Sequence, residues 1–408
     1  MYMLSLCTLI VKMQSCSLSP QIHVTLINLG RVVGAKGGVE KVFCELANQL
    51  QASGFLVNAV CCDRQEGTPG FPLSDAVNFY NCWRDDLNPF LSRPICNLRS
   101  LHTNRELRRS RRAQLLGAMY AAKLRKVLQS LKSDIFICFQ PDATYVIKEL
   151  LEIPQPTVTM FHMNPRFFAR NPEFKLFKRS LEQSSALQVL MPEYIEECHS
   201  ILPNANIIHI PNCVIPSTTI SKLKNKKIIN IGRISKQKQQ LLIVEAFSQI
   251  ATAYPDWTLE LWGEESENPA YSKQVRCAIS KHRLEKQILL MGTTDKMQEK
   301  LLDSSIFLFP SESEGLPLAL LEAMTCGLPA IGRQDCPAVN TLIQDNVNGL
   351  LASKTPASVA AALEHLMSSL PERKRMGEAA RFKSLEFSPE RVWGSWRELI
   401  LRTLQKKQ

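Results

Sequence analysis

The chain has 408 residues, 45% of them hydrophobic and 21% charged. That is globular composition for about two to three domains, long enough to bury sizeable cores, and it excludes wholesale disorder. The formal charge of +11 favours anionic partners without choosing among phospholipid, nucleic acid and nucleotide. Residues 99–132 carry +9 of it, ten basic side chains against the single acid Glu106, so the rest of the chain is nearly neutral. The 13 cysteines include no C-x-x-C pair, a pattern of reduced thiols in a cytoplasm rather than a disulfide scaffold or a zinc site.

In chain order, residues 1–19 hold a short apolar run over 4–11 with no basic residue before it and no small-residue cleavage site. The run is too short to span a bilayer and poor as a signal peptide, so 1–19 is read as an extension outside the fold. No later window approaches the ~20 apolar residues of a transmembrane helix. Branched apolar runs then alternate with helical segments: a strand over 22–28, a helix over 39–51 ended by Gly54, and a strand over 55–61. Further strands are expected at 134–139, 157–161, 186–190 and 207–210, giving a first domain over 20–214. Pro211, Pro216, the polar run Ser217 to Thr219 and lysines 222, 224 and 226 mark a linker at 215–225.

A second series begins at 226, with strands at 227–231, 258–262, 288–291, 306–309 and 329–331 and a helix over 239–250, and extends to 386. Ser388-Pro389-Glu390 opens a last helix, within 387–408, running to about 404. Near-continuous apolar strands separated by helices predict an α/β fold of parallel sheets covered on both faces. Two such domains of similar size leave a cleft between the carboxyl ends of their sheets, where ligands of open sheets bind.

The segment Ser311 to Gly327 carries the strongest chemical signal. A strand enters a polar loop, Gly315-Leu316-Pro317-Leu318 leads into a helix, and the helix amino end offers unpaired N–H groups to a diphosphate. Glu322 sits among Leu318, Ala319, Leu320, Leu321 and Ala323, so it is expected to point inward, where a carboxylate needs partners such as ribose hydroxyls. Glu314 lies eight residues earlier and can address another part of one extended ligand. Gly232-Arg233-Ile234-Ser235-Lys236-Gln237-Lys238 follows the first strand of the second domain, and Arg233 and Lys238 can converge on phosphate oxygens. Gly34-Ala35-Lys36-Gly37-Gly38-Val39-Glu40 follows the first strand of the chain; it has neither G-x-G-x-x-G order nor a P-loop ending, and a tight turn would account for it alone. His162 closes the strand over 157–161 and reaches the same cleft.

Together these residues resemble the family 4 glycosyltransferases of group 1 type, retaining enzymes of GT-B architecture: two Rossmann-like α/β/α domains facing across a cleft. The E-x7-E spacing of Glu314 and Glu322 inside S-E-G-L-P-L-A-L-L-E-A-M carries most of the likeness, with G-R-I-S-K-Q-K, G-G-V-E, Phe161-His162 and Ile210-Pro211-Asn212 beside it. The resemblance implies that Glu314 contacts the donor sugar, Glu322 the ribose, and Arg233 and Lys238 the diphosphate. It further implies that Gly37 and Gly38 line the phosphates, that His162 lies by donor sugar and acceptor, and that the last helix crosses back onto the first domain. Lys238 is followed by Gln239, and Asn212 by Cys213, where the family usually has glycine.

No D-x-D occurs to hold a bridging metal, so transfer is expected to need no metal and no cofactor. The expected reaction moves a hexose from a nucleotide-diphosphate sugar, UDP-sugar favoured, to a glycan or lipid-linked acceptor in surface polysaccharide or lipopolysaccharide biosynthesis. A nucleotide-sugar epimerase of the same architecture and a non-catalytic sugar-nucleotide or lipid-binding protein are the alternatives. Residues 105–131 combine an apolar stripe with Arg105, Arg108, Arg109, Arg111 and Arg112, a helix whose polar face suits anionic lipid. No helix-turn-helix or RNA-binding aromatic signature accompanies it, so nucleic acid is not expected as a partner. The resemblance implies a cytoplasmic enzyme peripheral to the inner face of the cytoplasmic membrane.

Overall fold

The computed structural model describes residues 21–82, 105–265 and 269–405, without the side chains of 105–108; the extension read at 1–19 lies outside the described residues. The first sheet contains β1 (His23–Asn28), β2 (Leu56–Cys61), β3 (Asn78–Asn81), β4 (Ile135–Cys138), β5 (Thr157–Phe161), β6 (Ala186–Val189) and β7 (Ile207–His209), in the order β3-β2-β1-β4-β5-β6-β7. The second contains β8 (Lys227–Ile231), β9 (Thr258–Trp262), β10 (Ile288–Gly292), β11 (Ile306–Phe309), β12 (Ala330–Arg333) and β13 (Gly349–Ala352), in the order β10-β9-β8-β11-β12-β13. Every neighbouring pair is parallel. The central strands are branched and buried on both faces, as parallel sheets covered by helices require.

Two strands had no counterpart in the sequence reading. β3 is Asn-Phe-Tyr-Asn, half exposed at one sheet edge, and β13 is the four-residue edge strand Gly-Leu-Leu-Ala. β3 is covered on fewer sides and needs no apolar run, whereas β13 is largely buried but too short, at four residues, to stand out as a strand by its pattern.

Each sheet reverses its winding once, between β1 and β4 in the first and between β8 and β11 in the second. Connections leave such a pair toward opposite faces and open a crevice at the carboxyl ends. In the second sheet that places the loops after Ile231 and Phe309 side by side, and these carry Arg233, Lys238 and Glu314.

The chain passes between the sheets twice at neighbouring points, where the Val214 N–H donates to the Phe387 carbonyl at 2.9 Å. The last helix, Pro389–Gln405, then lays Val392, Trp396, Leu399 and Ile400 into an apolar cluster with Val24, Leu26 and Phe43 of the first domain. A second cluster is shared by the domains, Leu190, Met191 and Tyr194 meeting Leu316, Leu320 and Leu321.

The helix Arg105–Ser130 turns Ala121, Leu124 and Leu128 onto Ile27 and Phe136, and leaves Arg109, Arg112, Arg125 and Lys126 exposed, along with Arg111. Leu115, read as part of the apolar stripe, is instead 43% exposed. The side chains of Arg105 and Arg108 lie outside the described residues. Among the described residues, no helix is long and apolar enough to cross a membrane.

Candidate functional site

On the second domain the site is built around Gly232. A Cβ there would lie 3.1 Å from Lys238 Cδ and 3.2 Å from its Cγ and Cε, so the lysine stem lies over the bare glycine. This directs Nζ to 2.7 Å from Glu314 Oε1 and 4.9 Å from the centroid of Phe309, at the end of β11. The ion pair is largely enclosed, with side chains 18% and 10% exposed. The two loops are also joined by backbone: the Glu312 N–H donates to the Gln237 carbonyl at 2.9 Å, and Gln237 Nε2 to the Ser313 carbonyl at 2.5 Å. Arg233 is exposed beside them.

The helix expected over 239–250 begins at Gln240 and ends at Ser248, after a short 3-10 turn at Lys236–Lys238. Gln239 stands between them at φ 59°, a left-handed conformation that glycine adopts freely and other residues at a cost. Its Nε2 donates to the Lys236 carbonyl at 2.7 Å, a local bond that offsets part of that cost.

The helix Leu318–Thr325 follows directly on Pro317, its extended N-cap. Leu316 and Leu318 bury their side chains in apolar clusters, so what this turn can offer an anion is backbone N–H. A Cβ on Gly315 would lie 2.2 Å from the carbonyl oxygen of His162, which measures how closely the loops of the two domains approach. Tyr194, buried on the first domain, donates its hydroxyl to the Glu314 carbonyl at 2.9 Å.

On the first domain, Gly37 is the N-cap of the helix Gly38–Ala52, and a Cβ on Gly38 would lie 3.7 Å from Leu318 Cδ1. The glycine loop is anchored behind by Asp63, whose Oδ2 accepts from the N–H groups of Val32 at 2.7 Å and Val33 at 2.8 Å. His162 stacks on Phe139 with ring centroids 5.4 Å apart, and its Nε2 is buried without a hydrogen-bond partner. Burial pushes the imidazole down to about 4, so it is neutral at physiological pH.

The unfolded chain takes up this proton near pH 6.5 and the folded chain only near 4, so the imidazole lowers stability as pH falls through that window. The full effect is on the order of 3 kcal/mol at about 1.36 kcal/mol per pH unit. Urea midpoints measured at pH 7 and pH 4.5 are therefore expected to differ more for the wild type than for His162→Gln.

Charges also face each other across the cleft. Lys41 bonds Glu322 and lies 3.8 Å from Glu45, and Lys36 pairs with Asp295 at 2.8 Å. Burial raises the Glu40 carboxyl, while the nearby Arg233 charge works against that rise. Beside Arg233, a pocket of about 420 Å³ opens at the ends of β9 and β10 among Ile234, Leu261, Gly263, Met291, Gly292 and Thr293.

The structure thus brings Glu314, Lys238, Arg233, Gly315, Pro317, Leu318, Glu322, Gly37, Gly38 and His162 to one interdomain cleft. Arg109, Arg111 and Arg112 lie on the exposed face of a separate helix. The sequence reading missed Lys41, Tyr194 and the pocket. Lys41 directly follows the glycine-loop segment and could have been included with it; Tyr194 leaves no local signal.

Residues 216–383 match the family model described as glycosyl transferases group 1. Among curated relatives, an uncharacterized glycosyltransferase of Haemophilus influenzae is 29% identical over 200 residues, 48% of this chain and 55% of the relative. The amylovoran biosynthesis glycosyltransferase AmsD of Erwinia amylovora is 22% identical over 200 residues, 49% of this chain and 55% of the relative. The chain thus spans about half the length of these relatives. The pneumococcal O-GlcNAc transferase GtfA, solved in complex with UDP and GlcNAc, superposes with a TM-score of 0.73 at 15% identity, covering 94% of this chain and 99% of GtfA. At that identity the likeness is one of fold, and the fold is GT-B.

Proposed function

We propose that this protein is a retaining glycosyltransferase that moves a hexose from a nucleotide-diphosphate sugar, UDP-sugar first among them, to a glycan or lipid-linked acceptor. The observation that carries the reading is the convergence of Arg233, the Lys238–Glu314 pair and the amino end of the 318–325 helix on one crevice, opposite Gly37, Gly38 and His162. The group 1 match over the second domain supports it.

Breaking a bond from sugar to diphosphate leaves negative charge on the phosphate oxygens, which fixed cations and N–H groups stabilise without reorganising. Lys238 spends one of its three N–H donors on Glu314 and keeps two for phosphate. Arg233 adds a planar fork, and the helix start adds backbone donors. These groups supply the charge neutralisation that a divalent ion would otherwise give, so transfer proceeds without a metal. Glu314, held through Oε1, presents its other oxygen to hydroxyls of the donor sugar, and Glu322 takes the ribose.

The pocket beside Arg233 receives the nucleobase. Neutral His162 offers its unpaired Nε2 to a hydroxyl where the sugar meets the acceptor. The acceptor enters on the face the diphosphate leaves, and a phosphate oxygen takes its proton. The pathway proposed is surface polysaccharide or lipopolysaccharide assembly, in line with the biosynthetic relative of Erwinia amylovora. The basic face of the 105–130 helix holds the enzyme at the inner surface of the cytoplasmic membrane.

Incubating the full chain in EDTA with UDP-, GDP- and ADP-sugars is expected to release one nucleoside diphosphate, faster when a lipid-linked or glycan acceptor is added. Release from none of them, with or without acceptor, overturns the reading.

A further inference from the structure

Lys41 stands in the first turn of the 38–52 helix, on the domain opposite Glu322. Its ammonium bonds Glu322 Oε1 and lies 3.8 Å from Glu45 Oε1, so one cation bridges a carboxylate of its own helix and one from the facing domain. Glu322 belongs to a helix whose Leu320, Leu321, Ala323 and Met324 are fully buried, and its own side chain is only 25% exposed. Among the described residues, Lys41 is the one cation paired with that carboxylate. Burial works against the ammonium, but Glu322 and Glu45 together outweigh it and raise the lysine, which therefore stays charged.

A carboxylate free to rotate presents its oxygens in no fixed direction. With Oε1 bound to Lys41, the direction of Oε2 is set. We propose that Lys41 is a positioning residue for the nucleoside: by clamping Glu322 from across the cleft it presents the second oxygen to the ribose hydroxyls, so that ribose recognition requires the domains to be closed. This rests on reading the cleft as a nucleotide-sugar site. Glu45 serves as the rear anchor that keeps the ammonium in reach of Glu322.

The test is calorimetric titration of the full chain with UDP, GDP and ADP, then with the 2′-deoxy form of whichever binds. The wild type is expected to prefer the ribose form by roughly tenfold or more, the range of a hydrogen bond to a charged group. Glu322→Gln should bring the ratio near one. Lys41→Met should do most of the same while leaving affinity for the 2′-deoxy form within about twofold, and Lys41→Arg should restore much of the preference. A lysine that only held the domains together would instead weaken both forms alike. If Lys41→Met fails to fold by circular dichroism, Lys41→Gln against Lys41→Arg makes the same comparison.

A wild-type ratio retained in the uncharged variants overturns the clamp and leaves the donor-site reading standing. A wild-type ratio near one overturns the ribose role of Glu322, and the clamp with it. Binding of no nucleoside diphosphate overturns the donor-site reading itself and everything built on it.

Discussion

Arg233→Ala is expected to slow sugar transfer by about 10²- to 10³-fold, the range for removing one fixed stabiliser of transition-state charge, while the melting temperature stays where it was. The guanidinium is exposed, and the loop is held by its backbone: the Arg233 carbonyl accepts from Gln240 Nε2 at 3.0 Å, a bond that alanine keeps. Lys238→Met makes the contrast. Its ammonium is the partner of an enclosed Glu314 carboxylate, so the substitution strands a charge and should lower stability along with turnover. Turnover rates paired with thermal melts separate the two, and undiminished turnover in Arg233→Ala would place the diphosphate elsewhere.

Gly315→Ala should be nearly as damaging for a purely geometric reason. The new Cβ would lie 2.2 Å from the His162 carbonyl oxygen; that oxygen belongs to backbone and the Cβ position is fixed by backbone, so no rotamer relieves the clash. The loops must separate, and a misplacement of about 1 Å at a reacting centre costs roughly 10²-fold. The larger loss should fall on kcat, and nucleotide affinity should fall only as far as parting the loops also draws Lys41 away from Glu322. Gly394→Ala is the matching control. It lies inside the last helix with nothing within 4 Å of the added carbon, and it should stabilise the protein by about 0.5–1 kcal/mol with activity unaltered. Equal kcat for Gly315→Ala and the wild type would show that the close approach of the two loops is not needed for transfer.

Most of this cleft could be anticipated because its parts lie at the ends of apolar strands, where both the strand and the loop after it leave a local signature. β8 and β11 are such strands, and the loops that carry Arg233 and Glu314 follow them directly. The winding order that sets those loops side by side is not written in either segment, since it depends on which strands pair. Contacts across the cleft were less legible still. Lys41 and Glu322 are 281 residues apart, and Tyr194 meets Glu314 across 120, separations at which no periodicity connects the partners.

Gln239 shows the limit from the other side. Its sequence continues a helical pattern, yet the turn before it demands a left-handed residue, and the helix begins one position later. A departure from glycine at that position was visible in the sequence; its conformational consequence was not. The 105–130 helix was foreseen in place and in its basic outer face, while Leu115 is exposed because it lies off the helix face that carries Ala113, Gly117, Ala121, Leu124 and Leu128 toward the core.

The central claim is that two cations and a helix amino end hold the departing diphosphate with no divalent ion. The most direct measurement is calorimetric titration of the full chain with UDP, GDP and ADP in EDTA, repeated on Arg233→Ala. The expected result is saturable binding of one of them without metal, weakened by about tenfold or more when the guanidinium is removed. Binding that appears only when magnesium or manganese is restored, or that Arg233→Ala leaves unchanged, would contradict the claim.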